Sequence, residues 1–173
     1  AGDDTITGNG GADVLNGEEG SDTFIQTATS GDTTGDVING GSETDGSRGS
    51  DTVDYSALSN ASGIKVKLND TGISNVDVAS STSDHQLINI ENIIGSSGTD
   101  TIEGDSGNNI LNGGAGTDTL TYESSSTGVT VNLSITSQQN TVNEGLDTIS
   151  NFENLTGSLG SDSLTGDDNV NVI

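Results

Sequence analysis

Single apolar residues recur along this chain at nine-residue intervals, between polar and β-favouring residues such as threonine and asparagine. If each unit is numbered from its first glycine, glycine stands at positions 1 and 4, aspartate at position 6 and the apolar residue at position 8. The apolar position holds Ile6, Leu15, Phe24, Ile38, Val53, Ile102, Leu111, Leu120, Leu164 and Ile173. A short β-favouring run with one apolar residue predicts a strand with one buried side chain. The pattern therefore predicts short strands stacked around a narrow apolar core.

The remainder of each unit predicts a turn that can hold a cation. Complete units begin at Gly8, Gly17, Gly31, Gly95, Gly104, Gly113 and Gly157, with clipped units at 1–7 and 166–173 and a unit at 40–54 split by an insertion at 43–48. Position 6 holds Asp4, Asp13, Asp22, Asp36, Asp51, Asp100, Asn109, Asp118, Asp162 and Asn171. Glycine permits positive φ and close approach of carbonyl groups, and the position-6 carboxylate closes the turn as an oxygen ligand. Oxygen ligands in a flexible turn favour calcium over zinc or copper.

The composition alone predicts disorder and leaves two interpretations, a solvated polyanion or a scaffold that needs cations to fold, and the nine-residue repeat favours the scaffold. The 173 residues carry a formal net charge of −24, and only 27% of them are hydrophobic and 2% aromatic. This apolar content is too low for the core of an ordinary globule, and the acids repel one another. The absence of cysteine excludes disulfides and cysteine zinc sites. The only basic residues are Arg48, Lys65 and Lys67, so nucleic acid is a poor partner. No apolar run approaches the length of a membrane span, so we do not expect direct insertion into a membrane.

One unit, residues 113–121 (GGAGTDTLT), resembles the calcium-binding nonapeptide of the RTX (repeats-in-toxin) family. The resemblance implies an all-β fold, a parallel β-roll or β-solenoid with several bound calcium ions, in which two nonapeptides make one coil. Each ion would lie between turns eighteen residues apart. The pairs implied are Asp4 with Asp22, Asp100 with Asp118, and Asp13 with Asp36 across an insertion at 26–30. The backbone carbonyls expected to complete the shells are those of Gly8, Gly17, Gly95, Ser97, Gly104, Gly113, Gly114 and Gly116.

A longer period links the nonapeptide blocks. Tyr55 and Tyr122 occupy equivalent places 67 residues apart (122 − 55), and the alternations at 64–68 and 129–133 predict half-buried strands. We expect both tyrosines to fill the core at the open end of a roll, and the serine-rich stretches 56–62 and 80–84 to form loops. The predicted blocks are 1–54, 86–121 and 148–173, and the linking segments are 55–85 and 122–147. These segments are similar to inter-block segments of large RTX toxins and adhesins.

Extending the nine-residue register backwards places three glutamates at position 6. They are Glu91, Glu144 and Glu153, which stand eighteen residues before Asn109, Asp162 and Asn171. We expect the roll to begin inside the linking segments, with Glu91 and Glu153 as non-standard calcium ligands that compensate for the neutral asparagines. Glu144 is a further candidate ligand, opposite Asp162. The alternative is that the glutamates are solvated or cap a strand. Turns with asparagine at position 6 are expected to bind calcium weakly or not at all.

The predicted function is a calcium-dependent folding module. Without calcium, the thin core cannot offset the entropy of the glycines and the repulsion of the carboxylates, so we expect a disordered chain. The resemblance implies type I secretion of an unfolded chain that folds on meeting millimolar extracellular calcium. The module would belong to a larger secreted or cell-surface bacterial protein of adhesin or toxin type, beside neighbouring repeats of the same parent chain.

Other functions find less support in the sequence. His85 is the only histidine and lies in a polar loop, so we do not expect an enzyme. A polysaccharide-binding accessory module of a secreted carbohydrate-active enzyme stays open as the alternative, although aromatic and basic residues are few. An ice-binding roll would need a ladder of threonines, which position 3 of the repeat does not supply.

Overall fold

The computed structural model describes residues 2–27, 35–41, 49–58, 63–78 and 84–173. Several predicted features lie wholly or partly outside these ranges: the insertions at 26–30 and 43–48, the turn that begins at Gly31, and the serine-rich loops at 56–62 and 80–84. The regular secondary structure of the described residues consists of β-strands alone. These residues therefore include no helix that is long and apolar enough to cross a membrane.

Seventeen short strands follow one another along the described chain. They are β1 (Thr5–Ile6), β2 (Val14–Asn16), β3 (Thr23–Ile25), β4 (Val37–Asn39), β5 (Thr52–Asp54), β6 (Ile64–Lys67), β7 (Ile73–Val78), β8 (His85–Ile88), β9 (Asn92–Ile94), β10 (Thr101–Glu103), β11 (Ile110–Asn112), β12 (Thr119–Thr121), β13 (Thr130–Asn132), β14 (Gln139–Asn140), β15 (Leu146–Ser150), β16 (Asn154–Thr156) and β17 (Ser163–Thr165). Most are three residues long because each coincides with positions 7 to 9 of a repeat, between two glycine-rich turns.

Outside the linking segments, successive strands fall alternately into two sheets that face each other, and β13 and β17 form a separate two-stranded sheet. The first sheet has the order β1-β3-β5-β9-β11-β15-β14, and the second has the order β16-β12-β10-β6-β7-β8-β4-β2. Most neighbours are parallel, with position 8 opposite position 8, as in Ile6–Phe24 and Ile102–Leu120. The predicted all-β parallel β-roll is therefore confirmed.

The position-8 side chains form the core between the two sheets. Phe24, Ile38, Val53, Ile102, Leu111 and Leu120 are fully buried. Ile6, Leu15 and Leu164 pack against this core but are only partly buried, because they lie in the first or last coils, where a neighbouring coil covers one side. The core is continuous along the roll, but it is only one side chain wide from each sheet.

Both linking segments lie inside the roll as three-stranded meanders. In the first, β6, β7 and β8 are inserted between β10 and β4 of the second sheet, with antiparallel pairs β6–β7 and β7–β8, while β5 pairs directly with β9 in the first sheet. In the second, β14 pairs antiparallel with β15, and β13 pairs in parallel with β17. The Thr130 N–H donates to the Thr141 carbonyl at 3.3 Å and so joins β13 to the β14 side.

Tyr55 and Tyr122 do not lie at an open end of the roll, which corrects our expectation. Tyr55 follows β5, which has neighbours on both sides in its sheet, and Tyr122 follows β12, which also has two. Both side chains are buried in the core, 0% and 2% exposed. They fill the wider interior where each meander begins, and the Tyr55 ring lies 5.8 Å from the His85 ring.

Candidate metal sites in the turns

Each full turn is six residues long, and in several of them the position-6 side chain closes its own turn. In the turn 95–100, the Ser96 N–H donates to Oδ2 of Asp100 at 2.7 Å, and Ser158 donates to Oδ2 of Asp162 in the same way at 3.0 Å. A Cβ atom on Gly95 would collide with the Gly113 carbonyl oxygen and would lie 2.5 Å from Oδ2 of Asp100. Glycine is therefore required at position 1 because neighbouring oxygens crowd it, as expected, whereas the expected positive φ occurs at position 4, for example in Gly116.

The position-6 residues of successive coils form hydrogen-bonded columns. The backbone N–H of each donates to the position-6 carboxylate of the next coil. The bonds are Asp4 to Asp22 at 2.8 Å, Asp22 to Asp51 at 2.8 Å, Asp13 to Asp36 at 3.0 Å and Asp100 to Asp118 at 2.8 Å. The three pairs that the family resemblance implied, Asp4–Asp22, Asp13–Asp36 and Asp100–Asp118, therefore lie in adjacent coils. Each column brings carboxylates together at a spacing of one coil.

Backbone carbonyls crowd the space between the turns 95–100 and 113–118. A Cβ on Gly114 would lie 2.5 Å from the Ser96 carbonyl oxygen and 3.1 Å from that of Gly95, and one on Gly116 would collide with the Gly98 carbonyl oxygen. Gly114 and Gly116 also have φ of +93° and +149°, which disfavours other residues. Two carboxylates and several carbonyls thus meet at this junction of two turns.

Among the described residues, three buried carboxylate oxygens have no hydrogen-bond donor. They are Oδ2 of Asp13, Asp22 and Asp118. In Asp22 and Asp118 the other oxygen, Oδ1, accepts the N–H of the preceding coil, so one acceptor is satisfied and the second is buried unpaired. Such an oxygen is costly to bury unless a cation or donor faces it. These residues fit an oxygen-coordinated cation.

Burial is the main reason why the pKa of Asp118 is raised from 3.8 to about 6, and the negative charges of Asp100 and Glu153 raise it further. A hydrogen bond from the Asp100 N–H opposes the shift only in part. The ionised form of this carboxylate is therefore unfavourable in the metal-free roll. A bound cation would stabilise it directly.

The side chains alone do not form a metal site. Among the described residues no group of three or more acidic, histidine or cysteine side chains converges closely enough to hold an ion. Each pair of turns contributes two carboxylates, so an ion there must take most of its ligands from backbone carbonyls. Calcium accepts six to eight oxygen ligands, including carbonyls, which suits this arrangement.

Glu91 and Glu153 lie in the predicted columns, but in a different kind of turn. Ile93 pairs with Leu111 as the backward register required, and Leu155 pairs with Leu120. The turns before them, residues 89–91 and 151–153, are only three residues long; we call them the short turns. Oε2 of Glu91 accepts the Asp51 N–H at 2.9 Å, and Oε2 of Glu153 accepts the Asp118 N–H at 2.7 Å. The longer glutamate side chain thus accepts the backbone N–H of the position-6 residue in the preceding coil, as aspartate does elsewhere.

The register proposed for Glu144 is wrong. Leu111 pairs with Ile149 and Leu164 pairs with Val131, so Asp147 stands at position 6 and the N–H of Val129, not of residue 144, donates to Asp162 at 2.9 Å. Counting back in nines fails here because the short turn 151–153 leaves only six residues between Ile149 and Leu155 at position 8.

Asp147 is the site residue that the sequence analysis missed. Its Oδ1 accepts the Asn109 N–H at 3.0 Å and its Oδ2 accepts the Thr141 hydroxyl at 2.7 Å. Burial raises its pKa to about 6, with contributions from the charges of Asp105 and Glu144. The signal was present, since residues 145–149 (GLDTI) carry glycine, aspartate and an apolar residue at the spacing of positions 4, 6 and 8.

The comparison with known families agrees with this geometry. The model of the RTX calcium-binding nonapeptide repeat matches four copies of the repeat, at residues 1–24 and 89–123. These ranges contain the turns of Asp4, Asp13, Asp22, Asp100 and Asp118. No curated protein matches the chain.

Proposed function

Since the chain carries RTX calcium-binding nonapeptide repeats, we propose that it is a calcium-dependent folding module of a larger secreted bacterial protein of adhesin or toxin type. Calcium would bind between turns of adjacent coils and hold the roll together. We further propose that the chain is exported unfolded by the type I route and folds outside the cell.

The unpaired Oδ2 of Asp118 is the observation that carries the proposal. This oxygen is buried, the side chain is 0% exposed, and no donor reaches it. The preceding turn offers backbone carbonyls beside Gly114 and Gly116. A divalent cation would supply the missing partner. Its two positive charges would also offset the repulsion between the carboxylates of Asp100 and Asp118.

Asp100 with Asp118, Asp4 with Asp22 and Asp13 with Asp36 are the pairs that we assign to calcium. Their turns contribute carbonyl ligands, among which we include those of Gly95, Ser97, Gly114 and Gly116. Asp51 and Asp162 would supply further carboxylates in their own coils. An ion that bridges two coils joins strands that are otherwise held by short ladders of backbone hydrogen bonds.

Calcium would also decide whether the chain folds. A ligand that binds only the folded state stabilises it by RT ln(1 + [Ca]/Kd) for each site, so several sites add up to a steep switch. Extracellular calcium-binding modules typically have Kd values of about 10⁻⁴ to 10⁻³ M. Cytosolic calcium is far below that range, so a chain of net charge −24 would stay unfolded before export.

The test is a calcium titration followed by far-UV circular dichroism, from chelator to about 10 mM, with magnesium as the control. We expect a cooperative transition from coil to β-structure with calcium alone. Magnesium should fail because it requires stricter octahedral geometry and keeps its water. A chain that is fully β-structured in chelator, and whose melting temperature calcium does not raise, would overturn the proposal.

A further inference from the structure

The direction of hydrogen bonding in the position-6 column reverses at two places in the described part of the roll. Elsewhere the position-6 side chain accepts a backbone N–H from the preceding coil, as Asp118 does from Asp100. After each short turn, the position-6 side chain instead donates to a backbone carbonyl. Nδ2 of Asn109 donates to the Glu91 carbonyl at 2.8 Å, and Nδ2 of Asn171 donates to the Glu153 carbonyl at 3.1 Å.

The short turn causes this reversal. The N–H groups of Glu91 and Asn92 both donate to the Asp51 carbonyl, at 3.2 and 2.9 Å, so the Glu91 N–H is already used by the preceding coil. Glu153 and Asn154 donate to the Asp118 carbonyl at the same two distances. What each short turn offers to the following coil is therefore a carbonyl oxygen.

A carboxylate cannot satisfy a carbonyl oxygen, but an amide can. An ionised aspartate has only acceptors, so two oxygens would face each other unless a cation lay between them. Asparagine has the same shape and adds two N–H donors. Its amide group can make directly the contact that a carboxylate makes through an ion.

Every polar atom of the Asn109 side chain is engaged in this way. Besides its bond to Glu91, Nδ2 donates to Oδ1 of Asp105 at 3.0 Å, and Oδ1 of Asn109 accepts the Asp105 N–H at 3.0 Å. Asn171 makes the same pair of bonds with Asp167, at 3.0 and 2.9 Å. In both turns the acid stands at position 2 and the amide at position 6. In the turns of Asp100, Asp118 and Asp162, position 2 is Ser96, Gly114 and Ser158.

We propose that the amides of Asn109 and Asn171 replace a calcium ion at the coil that follows each short turn. The roll can then restart after a meander through a contact that needs no cation. This inference rests on the proposed function, because it concerns which turns of a calcium-binding roll hold ions. It replaces our expectation that Glu91 binds calcium opposite Asn109 and that Glu153 binds calcium opposite Asn171.

The test compares the number of calcium ions bound at saturation, by isothermal titration calorimetry, in the wild type, Asn109→Ala and Asp118→Ala. We expect Asn109→Ala to keep the wild-type ion number while its melting temperature in saturating calcium falls. Asp118→Ala should lose at least one ion. If Asn109→Ala loses an ion as Asp118→Ala does, the inference is overturned.

Two further measurements keep the result unambiguous. If Asn109→Ala does not fold, Asn171→Ala in the last coil gives the same reading, since its amide makes the equivalent bonds. A wild type that binds no calcium would refute the proposed function itself. A wild type that binds calcium, together with an asparagine variant that loses an ion, would refute only the amide substitution.

Discussion

The backbone N–H of Asp118 donates to Oε2 of Glu153 across 2.7 Å, between residues 35 positions apart in the chain. The same Asp118 accepts the Asp100 N–H on its other side. Asp118 thus connects a full turn to a short turn, and its environment provides several tests of the structure.

Shortening Glu153 should weaken the contact between these coils. Glu153→Asp removes one methylene, so the carboxylate no longer reaches the Asp118 N–H, and a buried donor is left unsatisfied at a cost of about 1–3 kcal/mol. Glu153→Gln keeps both the length and an acceptor oxygen, and should stay close to the wild type. The free energy of unfolding in saturating calcium, from denaturant melts, measures the difference. Equal losses in the two variants would show that chain length is not what matters.

Neutralising Asp118 should separate calcium binding from packing. In Asp118→Asn an oxygen can still accept the Asp100 N–H, but the charge that favours an ion is lost. We expect the calcium midpoint of folding to rise about tenfold, equivalent to about 1.4 kcal/mol. Glu123→Gln, which removes one charge at an exposed residue, is the control and should leave the midpoint almost unchanged. Identical midpoints for both variants would contradict the assignment of Asp118.

Acid should stabilise the roll in the absence of calcium. The pKa values of Asp118 and Asp147 are raised from 3.8 to about 6 in the folded chain, mainly by burial, so the folded state binds these protons more tightly than the unfolded state. Their stabilising contribution is complete below about pH 4 and is lost as the pH rises through 6. In chelator, circular dichroism should show more β-structure at pH 5 than at pH 7. The opposite trend would argue against the buried, unpaired state of these carboxylates.

The same protons should compete with calcium. Because the ion binds the ionised carboxylates, the calcium midpoint should be higher at pH 5 than at pH 7. The calcium midpoint of Asp118→Asn should depend less on pH than that of the wild type, since one of the two carboxyl groups with a raised pKa is gone.

A methyl group at position 1 of the repeat should be poorly tolerated. In Gly95→Ala the new Cβ would lie 2.5 Å from Oδ2 of Asp100 and would collide with the Gly113 carbonyl. We expect a loss of about 1–3 kcal/mol, as is typical of overpacking. Gly107→Ala is the matched control, because its Cβ would meet only the Asp105 carboxylate, at 3.0 Å. Thermal melts in calcium should rank Gly95→Ala well below Gly107→Ala.

Much of the roll follows from local spacing. Where the chain keeps nine residues per half-coil, a position-6 residue and its partner in the next coil are eighteen residues apart. Asp4–Asp22 and Asp100–Asp118 could therefore be paired once the family resemblance implied two repeats per coil. The core positions were predictable for the same reason. The backward register also succeeded for Glu91 and Glu153, since only a single full turn separates each from its asparagine.

The short turns defeat this counting. Glu144 was placed at position 6 although Asp147 stands there, because Ile149 and Leu155 at position 8 are six residues apart (155 − 149), not nine. Leu87 and Ile93, on either side of the other short turn, are likewise six residues apart (93 − 87). The meander adds a separate change, since β17 pairs with β13 and not with β15. From the sequence, asparagine at position 6 is predicted to be a poor calcium ligand. In the structure, its amide donates to the carbonyl of Glu91 or Glu153.

The sequence by itself determined the nine-residue unit, its inward apolar residue and its acidic turn, because glycine, aspartate and β-favouring residues act within a few positions of one another. Only the tertiary structure decided where the linking segments lie. Four strands, β9 to β12, separate the two meanders and alternate between the sheets, so β6 to β8 lie in the second sheet whereas β14 and β15 lie in the first. Which groups face one another across coils, such as Asn109 and the Glu91 carbonyl, depends on that stacking, and spacing along the chain does not encode it.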